Sequence, residues 1–259
     1  MAYEIKELGV GGILDQAITL VRDHFGLLFG IIAVAFLPLS LLINLFNVYM
    51  MPPAPTVFTQ EAIEAYSRAA QSAQIYAIPL SLLLAFIVLP ITNSAIVWAV
   101  ARLYLGQPTS LGNAFGRAFR LFLPIVFTSF LYYLVMMLGF VLCIIPGFIF
   151  MFWFFLQNHI VVIEGIWGPK ALSRSRALAK GSYSTLFVLL FMMFIIQLAL
   201  GLAANVMGQS IVQAVVASIV GSILVVLYAA VFVVFYFSCR CKVENFDLNI
   251  LAESVATES

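Results

Sequence analysis

The chain has 259 residues, of which 64% are hydrophobic and only 9% charged; its formal net charge is +1 and its mean hydropathy +1.13. Soluble domains carry about a quarter charged residues, so this composition excludes a soluble globule and indicates an all-α, polytopic membrane protein. A balance so near neutrality implies no nucleic-acid partner, and three cysteines cannot build a disulfide framework.

In chain order, "MAYEIKELGVGGILDQ" lacks the basic region, apolar stretch and small-residue cleavage site of a secretory signal peptide, so the first span is expected to act as the insertion signal. At about 100° per residue, "ILDQAITLVRDHF" sets Asp15, Gln16, Thr19, Arg22 and Asp23 against Ile13, Leu14, Ala17, Ile18 and Val21, an amphipathic helix over about 11–24. His24 falls on its apolar side and reads as a structural histidine rather than a ligand. A span needs about 20 apolar residues, and the first runs over 25–50. Residues 51–74 form the one sizeable non-cytoplasmic loop, its second half a short amphipathic helix with Glu61, Glu64 and Arg68 on the wet side. The second span, 75–104, carries Pro79 and Pro90 and is expected to kink near Pro90.

A second amphipathic helix, about 109–121, opposes Asn113, Arg117 and Arg120 to Leu111, Ala114, Phe115, Ala118 and Phe122. Spans three and four, 121–144 and 147–164, are separated by a turn attributed to Pro146 and Gly147, with Cys143 a small buried hydrophobe. A third amphipathic helix, about 168–181, opens at Pro169 and closes near Gly181. It sets Lys170, Arg174, Arg176 and Lys180 against Ala171, Leu172, Ser175, Leu178, Ala179 and Ser182. Spans five and six cover 184–206 and 211–238. Span six carries a line of small residues, Ser210, Ala214, Ala217, Ser218, Gly221 and Ser222, suited to close helix packing in lipid, within the bundle or in a homo-oligomer. Cys239 and Cys241 read as reduced juxtamembrane thiols, with lipidation or metal binding the alternatives. Residues 1–245 form one membrane domain, and 246–259 a cytoplasmic tail.

Short loops rich in Lys and Arg stay in the cytoplasm. Of the twelve basic residues, all but Arg68 fall on one side of an even number of spans, which predicts both termini in the cytoplasm. Each amphipathic helix precedes a pair of spans, and aligning Leu14, Leu111 and Leu172 superposes the pattern. That suggests three copies of an interfacial helix plus a transmembrane hairpin.

Pro146-Gly147, Glu164, "ALSRS", Leu178 and the "KG" at 180–181, together with the opening "GGILDQAITLVRDHFGLL", resemble the bacterial glycerophosphoryl diester phosphodiesterase membrane-domain family. The resemblance implies a six-span fold in the bacterial inner membrane. Too little chain follows span six for the catalytic barrel that some members carry, so it implies no activity.

No phosphate-binding loop, metalloprotease motif or nucleophile elbow is present, nor are carboxylates paired within a helix turn or two near the membrane, so neither catalysis nor a cofactor or metal is expected. Two groups of residues are candidates for function. Lys170, Arg174, Arg176, Lys180, Arg117, Arg120 and Arg22 are placed to meet anionic lipid headgroups. Asn93, Thr128, Ser129, Gln157, Asn158 and His159 reach the inner half of the membrane, where they form either a polar vestibule with Glu164 at its mouth or ordinary interhelical hydrogen bonds. Glu164 itself either pairs with a basic residue of the next helix or serves as a functional carboxylate. The function expected is a non-enzymatic structural or accessory protein acting through partner subunits or lipids, with a permease or channel for a lipid or small solute as the alternative.

Overall fold

The computed structural model describes residue 3 and residues 6–50, 59–206 and 210–244; the tail 246–259 and the first part of the 51–74 loop lie outside these. Among the described residues there are helices and no strands, and six helical stretches are long and apolar enough to cross a membrane: Phe25–Met50, Ala85–Tyr104, Phe122–Leu142, Ile144–Ile163, Tyr183–Ala204 and Ile211–Glu244.

The apolar runs dictate the long helices, and the amphipathic segments become three short ones. Helix α1 (Val10–Asp23) docks Ile13, Ala17 and Leu20 onto the last helix and leaves Ile18 exposed. After α2 (Phe25–Met50), α3 (Gln60–Leu83) runs without interruption through a π-helical stretch, Leu84–Val88, into α4 (Leu89–Tyr104). The expected short loop helix is thus the start of one rod, whose Glu61, Glu64 and Arg68 are exposed. The widened turn sits just ahead of Pro90, whose ring would otherwise strike the carbonyl one turn back.

Helix α5 (Leu111–Arg120) buries Ala114 and Ala118 and is capped by Ser110, whose hydroxyl accepts from the Asn113 N–H at 3.3 Å. The reversal between α6 (Phe122–Leu142) and α7 (Ile144–Trp153) is a single extended residue, Cys143, which is exposed rather than buried. The turn expected at Pro146 and Gly147 therefore lies earlier. Pro146 occupies the first turn of α7, where its missing N–H costs no hydrogen bond. Gly147 permits a close approach: a Cβ there would stand 2.4 Å from the Phe140 ring.

Span four is broken. After Trp153 the helix stops, and α8 (Gln157–Ile163) restarts one turn later. Helix α9 (Pro169–Ala179) follows, then α10 (Tyr183–Val206) and α11 (Ile211–Glu244). Helices α4 and α11 form the centre, whereas α2, α6 and α10 present large apolar side chains outward. From Ala229 to Cys239 every residue of α11 is buried, because α1, α2, α4, α9 and α10 all pack on it.

Of the small-residue line on α11, Ala214, Ser218 and Ser222 are buried, and Ser218 accepts a 2.9 Å bond from the Asn44 amide of α2. Ala217 and Gly221 flank this line half-buried, and a Cβ on Gly221 would meet no atom within 4 Å. The close approach expected there is absent within the described chain.

Candidate functional site at the basic end of the bundle

The C-terminal ends of α4, α8 and α11 meet α1, α5 and α9 at one end of the bundle, and most of the charge collects there. Gly165 and Gly168, at φ of 72° and 70°, reverse the chain after α8; glycine reaches such angles without a Cβ clash. Helix α9, begun by Pro169, is thereby laid back against α7, α8 and α11. Ala171, Leu172, Ser175, Leu178, Ala179 and Ser182 are all buried against the protein.

Two hydroxyls hold this corner. Ser175, 0% exposed, accepts from the Leu156 N–H at 3.1 Å and donates to the Trp153 carbonyl at 2.9 Å. These are backbone groups that the break in span four would leave unpaired. Thr128 on α6 accepts from the Gly168 N–H at 2.8 Å and donates to the Pro124 carbonyl at 2.7 Å. A buried backbone group without a partner costs about 1–3 kcal/mol, so each hydroxyl removes a penalty that the sharp local geometry creates.

Beside them lies a chain of five polar side chains. Glu164 accepts from the Tyr236 hydroxyl at 2.7 Å and from Arg174 Nε at 3.0 Å. Arg174 also donates through Nη2 to Glu244, which accepts from Arg240 Nε at 3.0 Å. Burial works against the Arg174 charge, but its bonds to Glu164 and Glu244 outweigh that and hold the guanidinium above its ordinary range. The network ties the end of α8, the middle of α9 and the end of α11 together.

The basic residues singled out in the sequence divide accordingly. Arg174 is committed to two carboxylates, and Arg176 lies 3.9 Å above the Trp153 ring, a cation–π contact. Arg117 donates to the Val162 carbonyl at 3.4 Å. Lys170, Lys180, Arg22 and Arg120 are exposed.

Among the residues assigned to a vestibule, Thr128, Gln157 and His159 are buried, whereas Asn93, Ser129, Asn158 and Glu164 are half-buried. Successive positions on a helix suggest that at least one of Gln157, Asn158 and His159 faces lipid or a neighbouring chain, but the short α8 is enclosed by α4, α6 and α9, and none is exposed. Gln157 Oε1, Asn158 Oδ1 and His159 Nδ1 are buried without a protein partner. The His159 ring stacks near Tyr236, their centroids 6.4 Å apart. An apolar hollow and a basic hollow open among the described residues of the bundle, and none of these vestibule residues lines either of them.

Sequence reasoning missed Tyr236 and Glu244 as partners of this corner, and gave Ser175 no role beyond the apolar side of its helix. Comparison of the chain with family models, curated proteins and solved structures returns no match in any of the three.

Proposed function

We propose that this chain is a non-enzymatic component of the bacterial plasma membrane that acts as a structural or accessory protein, through partner subunits or by organising lipid. The bacterial setting and the kinship with phosphodiesterase membrane domains rest on the sequence motifs alone. In this reading α1, α5 and α9 are three copies of an interfacial helix, each leading a transmembrane hairpin, with both termini in the cytoplasm.

The observation that carries the reading is the partition of charge. The apolar stretches of all six candidate spans are free of Asp, Glu, Lys and Arg until their ends, and most charges at the basic end are spent on one another or presented by short helices beside it, with Arg102 at the end of α4 over the Trp98 ring. A protein that does chemistry or moves ions usually keeps ionisable groups inside the membrane, where they are expensive and retained for function. Pull-down in mild detergent tests the reading: a stoichiometric partner or retained lipid is expected, and repeated recovery of bare protein counts against it. Cysteine labelling from each side tests the orientation.

One observation favours the permease reading: the three partnerless polar atoms on α8 are the kind of buried groups that water or a solute would satisfy. Solute flux in reconstituted vesicles, abolished by His159→Leu, supports that alternative; tight vesicles exclude it.

A further inference from the structure

The basic hollow is a groove lined by three arginines that have no carboxylate partner among the described residues. About 550 Å³ in volume, it is lined by Trp98 and Arg102 of α4 and by Asn113, Arg117 and Arg120 of α5, with the bare backbone of Gly112 and Gly116 between them. That volume falls within the ~300–1,000 Å³ of small-molecule sites. No carboxylate lines it. Arg102 lies over the Trp98 ring and donates through Nη2 to the Pro108 carbonyl, and Arg117 donates through Nη2 to Val162, yet the Nε atoms of both are buried without an acceptor. Arg120 is exposed and makes no ion pair among the described residues. Three guanidinium groups with no carboxylate partner at one groove call for an anion with several acceptor oxygens, and guanidinium forks match phosphate geometry best.

The second hollow says which kind of phosphate. About 310 Å³, it is lined only by apolar side chains, Val34 and Ala35 of α2, Val88 at the end of the π-helical stretch, Ile91 at the start of α4, and Phe115 and Phe119 of α5. Ile91 and Trp98 share one face of α4, about 10 Å apart along its axis. On α5, Phe115 and Phe119 lie on the arc next to that of Gly112 and Gly116. Along α4 the charged groove therefore lies towards the basic end of the bundle and the apolar hollow towards its middle, while across α5 the two lie side by side. That order is the polarity of a membrane lipid, and a soluble phosphate compound has no use for the second half.

We propose that the α4–α5 face binds one phospholipid molecule, its phosphate held by Arg102, Arg117 and Arg120 and one acyl chain lying in the hollow between Ile91 and Phe119. The site deepens the accessory reading above and rests on α5 lying at headgroup level.

Native mass spectrometry of the full chain in mild detergent, titrated with dioleoyl phosphatidylglycerol, tests the site. Saturable retention of one lipid is expected. Arg120→Gln, which breaks no bond within the protein, should weaken retention about fivefold, and Arg102→Gln with Arg117→Gln about tenfold or more. Ala35→Leu, which fills the apolar hollow, should weaken it while leaving all three arginines in place. Arg68→Gln, at the far end of α3, should leave it unchanged. The proposal is overturned if Arg120→Gln and the double variant retain lipid as the parent does, if lipids bind without saturation, or if inorganic phosphate displaces the lipid. Labelling of Gln107→Cys separates this idea from the one beneath it. Labelling from outside the cell overturns the cytoplasmic orientation proposed above, whereas labelling from the cytoplasm together with loss of the lipid result sinks only the α4–α5 site.

Discussion

Ser175 shows how one side chain decides whether the broken span can exist. The chain between Trp153 and Gln157 leaves a donor and an acceptor that no helical turn can satisfy, and the Ser175 hydroxyl, reaching in from α9, bonds both. Ser175→Ala should therefore lower stability by about 1–3 kcal/mol for each group left unpaired, seen as an earlier thermal midpoint in detergent; a midpoint unchanged from the parent means that water replaces the hydroxyl. Glu164 acts at the same corner through charge. Glu164→Gln keeps an acceptor for Tyr236 but removes one of the two negative partners of Arg174 and leaves Glu244 as the other. Hydrogen bonds to charged groups contribute about 1.5–3 kcal/mol, less where water reaches them. Trypsin should then cut α9 at Arg174 or Arg176 faster than in the parent; the same digestion rate would show that apolar packing alone holds the helix. A pairing between Glu164 and the basic helix after it was readable in the sequence, because ten residues of turn and helix separate Glu164 from Arg174. Tyr236 and Glu244 were not, since nothing local in α11 says which of its faces meets a helix seventy residues earlier. Nor was the break at Trp153 readable, because "FWFFLQN" contains neither proline nor glycine.

At the scale of elements, the sequence shows where helices lie better than how closely they approach. The boundaries of the long helices follow from hydropathy, and α9 starts and stops at Pro169 and before Gly181 for reasons stated by those residues alone. Close approach depends on what lies opposite. Small residues on α11 suggest packing around Gly221, yet an added Cβ there has open space, while the tight contact is between α6 and α7. A Cβ on Gly139 would stand 2.7 Å from Phe150 and 3.0 Å from the Gly147 Cα, and a backbone atom cannot swing aside as a ring can. Gly139→Leu should therefore destabilise the chain by about 1–3 kcal/mol or more, the cost of overpacking a filled contact, whereas Gly221→Leu should leave the midpoint of the isolated chain within about 0.5 kcal/mol of the parent. The opposite order in detergent melts would refute this packing. A change of particle size with Gly221→Leu, at unchanged midpoint, would instead identify that side of α11 as a contact between copies.

Across the whole molecule, burial is lopsided. Near the basic end α11 is wrapped by α1, α2, α4, α9 and α10 and is buried continuously from Ala229 to Cys239, and the hydroxyl and ion-pair bonds described above close that end. Among the described residues the opposite end has no such enclosure: the first turns of α3 expose Glu61, Glu64 and Arg68, and the α6–α7 turn exposes Leu142, Ile144 and Ile145. Local opening free energies in folded proteins run from about zero at poorly packed segments to the full unfolding free energy in the core. Hydrogen exchange of the detergent-solubilised chain should therefore show its slowest amides over 229–239 and exchange faster by several orders of magnitude over 60–68, a polar stretch that detergent does not cover. Comparable protection of the two segments would mean that α3 is held by contacts that its exposure does not reveal. If the gradient holds, it also orders the loss of structure on heating: the hairpin turn and α3 loosen first, while the basic end, with α9 locked across the end of α8, keeps its shape until the whole bundle unfolds.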